Sequence, residues 1–155
     1  MIAVIQRVLR ASVISDGVPT GEIGPGLYVL LGVESGDERA DATVLAEKIS
    51  KLRIFSDEAG KMNLSVKDID GEALVVSNFT LNANYAHGNR PDYLASAPPD
   101  VANELYLFFV SEMTARVRKC ATGVFGADMK TAMTTDGPVT IVMNSSVLRR
   151  KDSGR

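Results

Sequence analysis

Tryptophan is absent from the 155-residue chain, and cysteine and histidine occur once each, as Cys120 and His87. A single cysteine excludes an intrachain disulfide, and one cysteine with one histidine excludes an ordinary zinc cluster. A serine-hydrolase triad is equally short of parts. His87 stands beside Gly88 among small and polar residues, where a solvated loop side chain is the ordinary reading. No apolar run reaches about 18 residues and no basic, apolar leader is seen, so neither a membrane span nor a signal peptide is indicated. The chain therefore reads as a soluble cytoplasmic protein. Charge of one sign is also scarce, with 17 Lys and Arg against 19 Asp and Glu, and this lacks the basic footprint of a protein that coats nucleic acid. Contact with a nucleic-acid end stays open. The basic groups in "ARVRKC" and in the tail "LRRKDSGR" read as a solvated helix face and a frayed terminus.

What is present is a real core. At 45% hydrophobic and 23% charged, the chain fits one domain, residues 1–146, followed by a polar, flexible tail, 147–155. "IAVIQRVLRASVIS" is rich in β-branched residues and turns at Asp16-Gly17. "VPTGEIGPGLYVLLGV" adds a short strand, a Gly-Pro-Gly turn and a buried strand. Leu45, Ile49 and Leu52 recur at helical spacing between Asp37 and Leu52. "RIFSDEAGKMNLSVKDIDG" reads as a loop-rich excursion and "EALVVSNFTL" as a central strand. After a long loop, Pro99 suits the first turn of a second helix with Val101, Leu105, Phe108 and Val117 near one face. "GADMKTAMTTDGPVTIVMNSS" reads as two strands joined at Gly137-Pro138. The fold class is α+β, a mainly antiparallel sheet with a barrel-like core and two main helices.

Chemistry is harder to place. The carboxylates of "GDERAD" and "SDEAG" suit a helix start and a turn, and "GEIGPG" is not followed by the Lys-Ser/Thr and helix of a phosphate loop. No acid–base pair can be named. Arg7 is more informative, because alternation along a strand puts it on one face with Ile5, Leu9, Ala11 and Val13. Its five donors either hold backbone carbonyls of a turn or lie in water above a packed stem. In "SNFTL", the hydroxyls of Ser77 and Thr80 and the amides leaving the ladder either serve the strand edge or point at a ligand oxygen. Asp136-Gly137-Pro138 is either a hairpin turn or a recognition surface.

Taken together, "MIAVIQRVLRASV", "TGEIGPGLYVLLGV", "LRIFSDEAGKMNLSV", "LVVSNFTL", "GNRPDY", "PPDVANELYLFFV", "GVFGADM" and "DGPVT" closely resemble the D-aminoacyl-tRNA deacylase family in order and spacing over about residues 1 to 143. The resemblance implies a homodimeric hydrolase that cleaves the ester of D-aminoacyl-tRNA, and of glycyl-tRNA mischarged on tRNA-Ala, while rejecting L-aminoacyl-tRNA. It implies that a cis Gly137-Pro138 peptide reaches into the partner's site as the filter and that Arg7 holds it. Ser77, Asn78, Phe125 and Met129 would contact the 3′-terminal aminoacyl-adenosine. The backbone at Phe79 and Thr80 would lie near the ester carbonyl, with water as nucleophile and the ribose 2′-hydroxyl as helper; Thr80 as nucleophile is the older reading. No metal or cofactor is implied. The chain departs from the family in "SNFTL" for "SQFTL" and "TDGPVT" for "NDGPVT", and by extra residues after "VTIVMNSS". Two alternatives follow: a catalytically silent aminoacyl-tRNA-binding module, and a relaxed deacylase acting mainly on glycine or an L-amino acid.

Overall fold

Strand β1, Ile2–Ser15, organises the sheet, because both of its edges are used. One edge pairs antiparallel with β3, Gly26–Gly32, and further along with β2, Val18–Ile23. The other edge takes β8, Met129–Asn144, along most of its length. Beyond β3 the sheet becomes parallel, with β6, Glu72–Ser77, and then β7, Lys119–Thr122. A small hairpin of β4, Phe55–Ser56, and β5, Met62–Leu64, lies apart. The computed structural model describes residues 1–152, and the side chains of 1–149. Among the described residues, no helix is long and apolar enough to cross a membrane.

The central strands are buried on both faces, which is why they read as unbroken apolar runs. Leu27, Val29, Leu31, Ala73 and Val75 face one core, while Tyr28, Leu74 and Val76 face the other. Helices α1, Arg39–Ser50, and α2, Pro99–Thr114, cover the first core with Leu45, Ile49, Leu105 and Phe109. The second core lies inside the curl of the sheet and holds Val8, Val13 and Ile23. Curling brings β2 against β7: a Cβ on Gly21 would stand 2.7 Å from the Thr122 carbonyl oxygen, and Lys119 Nζ donates to the Glu22 carbonyl at 2.6 Å. The result is the expected α+β, nearly closed barrel-like core.

Four details differ from the sequence reading. The segment around Gly137-Pro138 is not a hairpin between two strands. It is an excursion within β8, because Gln6 pairs with Thr140 and Val8 with Thr135, leaving residues 136–139 opposite Arg7 alone. The Gly137-Pro138 peptide is cis. Strand β1 does not keep one face throughout: Ile5 enters the first core, Ala11 and Val13 the second, and Leu9 is exposed, since register shifts on either side of Val8 change the strand's phase. On α2 the buried stripe is Ala102, Leu105, Tyr106, Phe109 and Met113, and Val101 is 42% exposed. Small Ala102 and amphipathic Tyr106 weigh little in an apolar count yet follow the helical repeat.

The expected tail from residue 147 begins instead within α3, Ser145–Asp152. Arg149 ties it to α1 through Asp41 at 2.8 Å and Glu38 at 3.1 Å. Residues 153–155 of the expected tail lie outside the described residues. The other basic cluster is engaged within the chain, Arg116 with Glu112 at 3.0 Å and Arg118 with Glu72. Cys120 is a packed thiol that burial pushes up to about 11. At pH 8 only about one thousandth of it is thiolate. Alkylation of the folded protein is therefore expected to be about a hundred-fold slower than in denaturant, which a timed thiol-labelling assay reads directly.

Candidate functional site

The carboxyl ends of parallel β3 and β6 open onto a cavity of about 220 Å³. Leu31 enters it from β3 and Val33 from just beyond that strand, and Ser77, Asn78 and Phe79 from the end of β6. There the chain leaves the ladder and makes a single 3₁₀ helix, Phe79–Asn82. Asn78 starts that helix, because its own N–H donates to the Leu31 carbonyl at 2.8 Å while its side-chain oxygen accepts from the Thr80 N–H at 3.2 Å. Gly32 lets the turn settle against β3, since a Cβ there would lie 2.9 Å from Asn82 Oδ1 and 3.1 Å from the Asn78 carbonyl oxygen.

Asn82 braces this corner from behind. Its Nδ2 donates to the Val33 carbonyl at 2.8 Å and to Ser96 Oγ at 3.2 Å, joining the end of β3, the 3₁₀ helix and the loop before α2. Among the described residues, Asn82 Oδ1 is the buried side-chain polar atom left without a hydrogen-bond partner. The opposite wall carries Phe125, Gly126 and Met129. That segment is tied to the first hairpin, for the Val124 N–H donates to Ser15 Oγ at 3.2 Å and the Asp128 N–H to Asp16 Oδ1 at 3.0 Å.

The expected residues thus divide into two groups, with Thr80 in neither. Ser77, Asn78, Phe79, Phe125 and Met129 meet at the cavity. Thr80 does not line it, and its hydroxyl donates to Asn78 Oδ1 at 2.5 Å. Arg7, Gly137 and Pro138 do not line it and form a second constellation around Asp136. Arg7 Nε donates to the Asp136 carbonyl at 2.8 Å and lies 3.2 Å from Asp136 Oδ2, and Nη1 donates to the Ile54 carbonyl at 2.6 Å. Of the two roles open to Arg7, it takes the carbonyl-holding one, with its side chain only 12% exposed. Gly137 and Pro138 themselves are exposed.

Sequence reasoning missed Tyr106, Ser96, Ala97 and Ala102, which also line the cavity. A tyrosine on the inner stripe of α2 was the available signal. Burial raises the Tyr106 phenol well above its ordinary value, so it stays protonated and donates to the Val75 carbonyl at 2.9 Å. Among the described residues, no Asp, Glu, His or Lys lines the cavity, and His87 is an exposed loop residue. Among the described residues, no group of three or more His, Cys, Asp and Glu is placed to hold a metal ion.

These features define a class: an α+β protein with a curled sheet, whose candidate site is a cavity of backbone groups, small polar side chains and apolar walls at the ends of parallel strands. A family profile described as D-Tyr-tRNA(Tyr) deacylase matches residues 4–144. A D-aminoacyl-tRNA deacylase of Cereibacter sphaeroides is 55% identical over 145 residues, covering 94% of this chain and all of the relative. One of Pelobacter propionicus is 52% identical over 143 residues, covering 92% of this chain and 99% of the relative. A solved structure named c-Myc DNA Unwinding Element Binding Protein superposes with a TM-score of 0.87 at 39% identity, over 93% of this chain and 98% of that one. The chain belongs to the D-Tyr-tRNA(Tyr) deacylase family and, as a deacylase, is a hydrolase.

Proposed function

We propose that this chain hydrolyses the ester joining a D-amino acid or glycine to the terminal adenosine of tRNA, and rejects the L-ester. The observation that carries the reading is the chemistry of the cavity wall, which offers hydrogen-bond donors and apolar surface but, among the described residues, no general base. An aminoacyl ester is already activated, so orienting it, stabilising its oxyanion and admitting water are sufficient. Water adds to the carbonyl carbon, the bond to the ribose oxygen breaks, and that oxygen takes a proton, with the neighbouring 2′-hydroxyl as helper. Phe125 and Met129 receive the adenosine, Ser77 and Asn78 orient the aminoacyl group, and the backbone at Phe79 and Thr80 faces the carbonyl. A hydroxyl whose acceptor is a carboxamide is not activated as a nucleophile, which favours water over Thr80.

The filter in this reading is the Gly137-Pro138 excursion of a second copy. An exposed, arginine-held peptide that lines no part of its own chain's cavity is suited to completing a neighbour's. Glycine passes because it has no side chain to collide with the carbonyls of the excursion, and a D-residue passes because its side chain points elsewhere.

The test is release of amino acid from D-tyrosyl-, L-tyrosyl- and glycyl-tRNA by the purified protein, with Thr80→Ala beside it. Turnover of the D and glycyl substrates is expected, with the variant within about ten-fold of the parent. A loss of about a thousand-fold or more in Thr80→Ala would make Thr80 the nucleophile. Tight tRNA binding without turnover would make the chain a binding module.

A further inference from the structure

A second cavity of about 600 Å³ opens beside the first. The two share Phe79, Ser96, Ala97, Ala102, Phe125 and Gly126, so they are parts of one continuous depression. What the second adds is mostly apolar: Tyr93, Leu94, Pro98 and Pro99, with Ser35 as the one added small polar side chain. Leu94 is 88% exposed and Phe79 59%, an unusual outlay of apolar surface in two neighbouring loops. The rings of Phe79 and Tyr93 pack edge to face at 5.0 Å, which holds both at the junction. Among the described residues, no Lys or Arg lines this second cavity.

We infer that this groove is a stacking platform for the nucleotide that precedes the terminal adenosine, the penultimate base of the single-stranded CCA end. The inference rests on the proposed reading of the first cavity as the aminoacyl-adenosine site. A nucleic acid whose last residue fills that cavity has to leave it along the surface, and the groove continues it across a shared wall. Rings and prolines suit a base face whatever its identity, because stacking is sequence-tolerant. Without lining cations, the groove contributes through stacking and not through counterion release, so its loss should leave the salt dependence of binding unaltered.

The experiment compares the affinity of the protein for an ACCA tetranucleotide and for adenosine alone, by calorimetry, in the parent chain and in Leu94→Ser and Tyr93→Ala. Leu94 is so exposed that its replacement leaves the core intact, which covers the case in which Tyr93→Ala disturbs Phe79. Tetranucleotide affinity is expected to fall about five-fold in Leu94→Ser and about five- to a hundred-fold in Tyr93→Ala, and to fall at least about five-fold more than adenosine affinity. The slope against salt concentration should stay the same. Equal losses for both ligands, or no loss for either, would overturn the inference. So would a change of oligomeric state in Leu94→Ser with tetranucleotide affinity intact, which would make the groove a protein interface. Binding is read without turnover, so a failure of the catalytic reading is seen separately in the deacylation assay.

Discussion

An Arg7→Ala protein is expected to lose most of its discrimination between D- and L-tyrosyl-tRNA and to melt well below the parent. One guanidinium holds the carbonyls of Asp136 and Ile54, and so fixes the β8 excursion to the segment before β4. Hydrogen bonds from a charged donor contribute about 1.5–3 kcal/mol each, and removal leaves both carbonyls poorly partnered. Allowing for partial solvation, the loss of stability is about 2–4 kcal/mol, which for a chain of this length lowers Tm by about 4–16 °C. The effect on selectivity is larger in consequence. A filter made of backbone discriminates only while its carbonyls stay fixed, and a shift of about 1 Å can cost a hundred-fold. Arg7→Lys should be intermediate, since an ammonium lacks the planar fork that reaches two acceptors at once. Melting curves and paired D- and L-deacylation rates decide it. An unchanged D/L ratio in folded Arg7→Ala would separate the excursion from selectivity.

Gly26→Ala is expected to damage the fold more than any change in the site. Gly26 pairs with Glu72 where the parallel strands β3 and β6 begin, and a Cβ there would stand 1.9 Å from the Glu72 carbonyl oxygen and 2.8 Å from its nitrogen. Backbone cannot step aside as a side chain does. The strands would have to part at the point where Glu72 is also anchored, its carboxylate accepting from the Gly24 N–H at 2.8 Å and from Arg118. A cost of about 3 kcal/mol or more is a large share of the roughly 5–15 kcal/mol that holds a domain together. Gly17→Ala is the comparison. It has open space around it but a φ of +80°, so only about 1 kcal/mol of backbone strain is expected. Urea titrations of the two variants should differ accordingly, and similar midpoints would mean that β3 and β6 can separate cheaply.

The fold was legible wherever burial was strong and uniform. "GLYVLL" and "EALVV" announce strands covered on both faces, and the helices begin where a Glu38–Asp41 hydrogen bond and Pro99 place them. What escaped were features created by long-range pairing. Gly-Pro in an apolar alternation looks like a chain reversal, and only pairing with β1 reveals that the strand resumes in the same direction. The change of face along β1 belongs to the same register shifts. In the site, five residues named from sequence converge because they follow one another closely along two segments. Tyr106 and Ser96 were missed because their roles depend on which strand end their helix and loop lie against.

The pairing of β1 with β8 also bears on how the chain is made. Residues 2–15 leave the ribosome among the first of the domain, yet one edge of that strand finds its partners only at residues 129–144. Until those residues emerge, one edge of β1 has no strand to pair with. Contacts of such long sequence separation are slow to form. A chain ending before residue 129 would therefore leave one edge of β1 without its partner, and it is expected to aggregate more readily than the full chain.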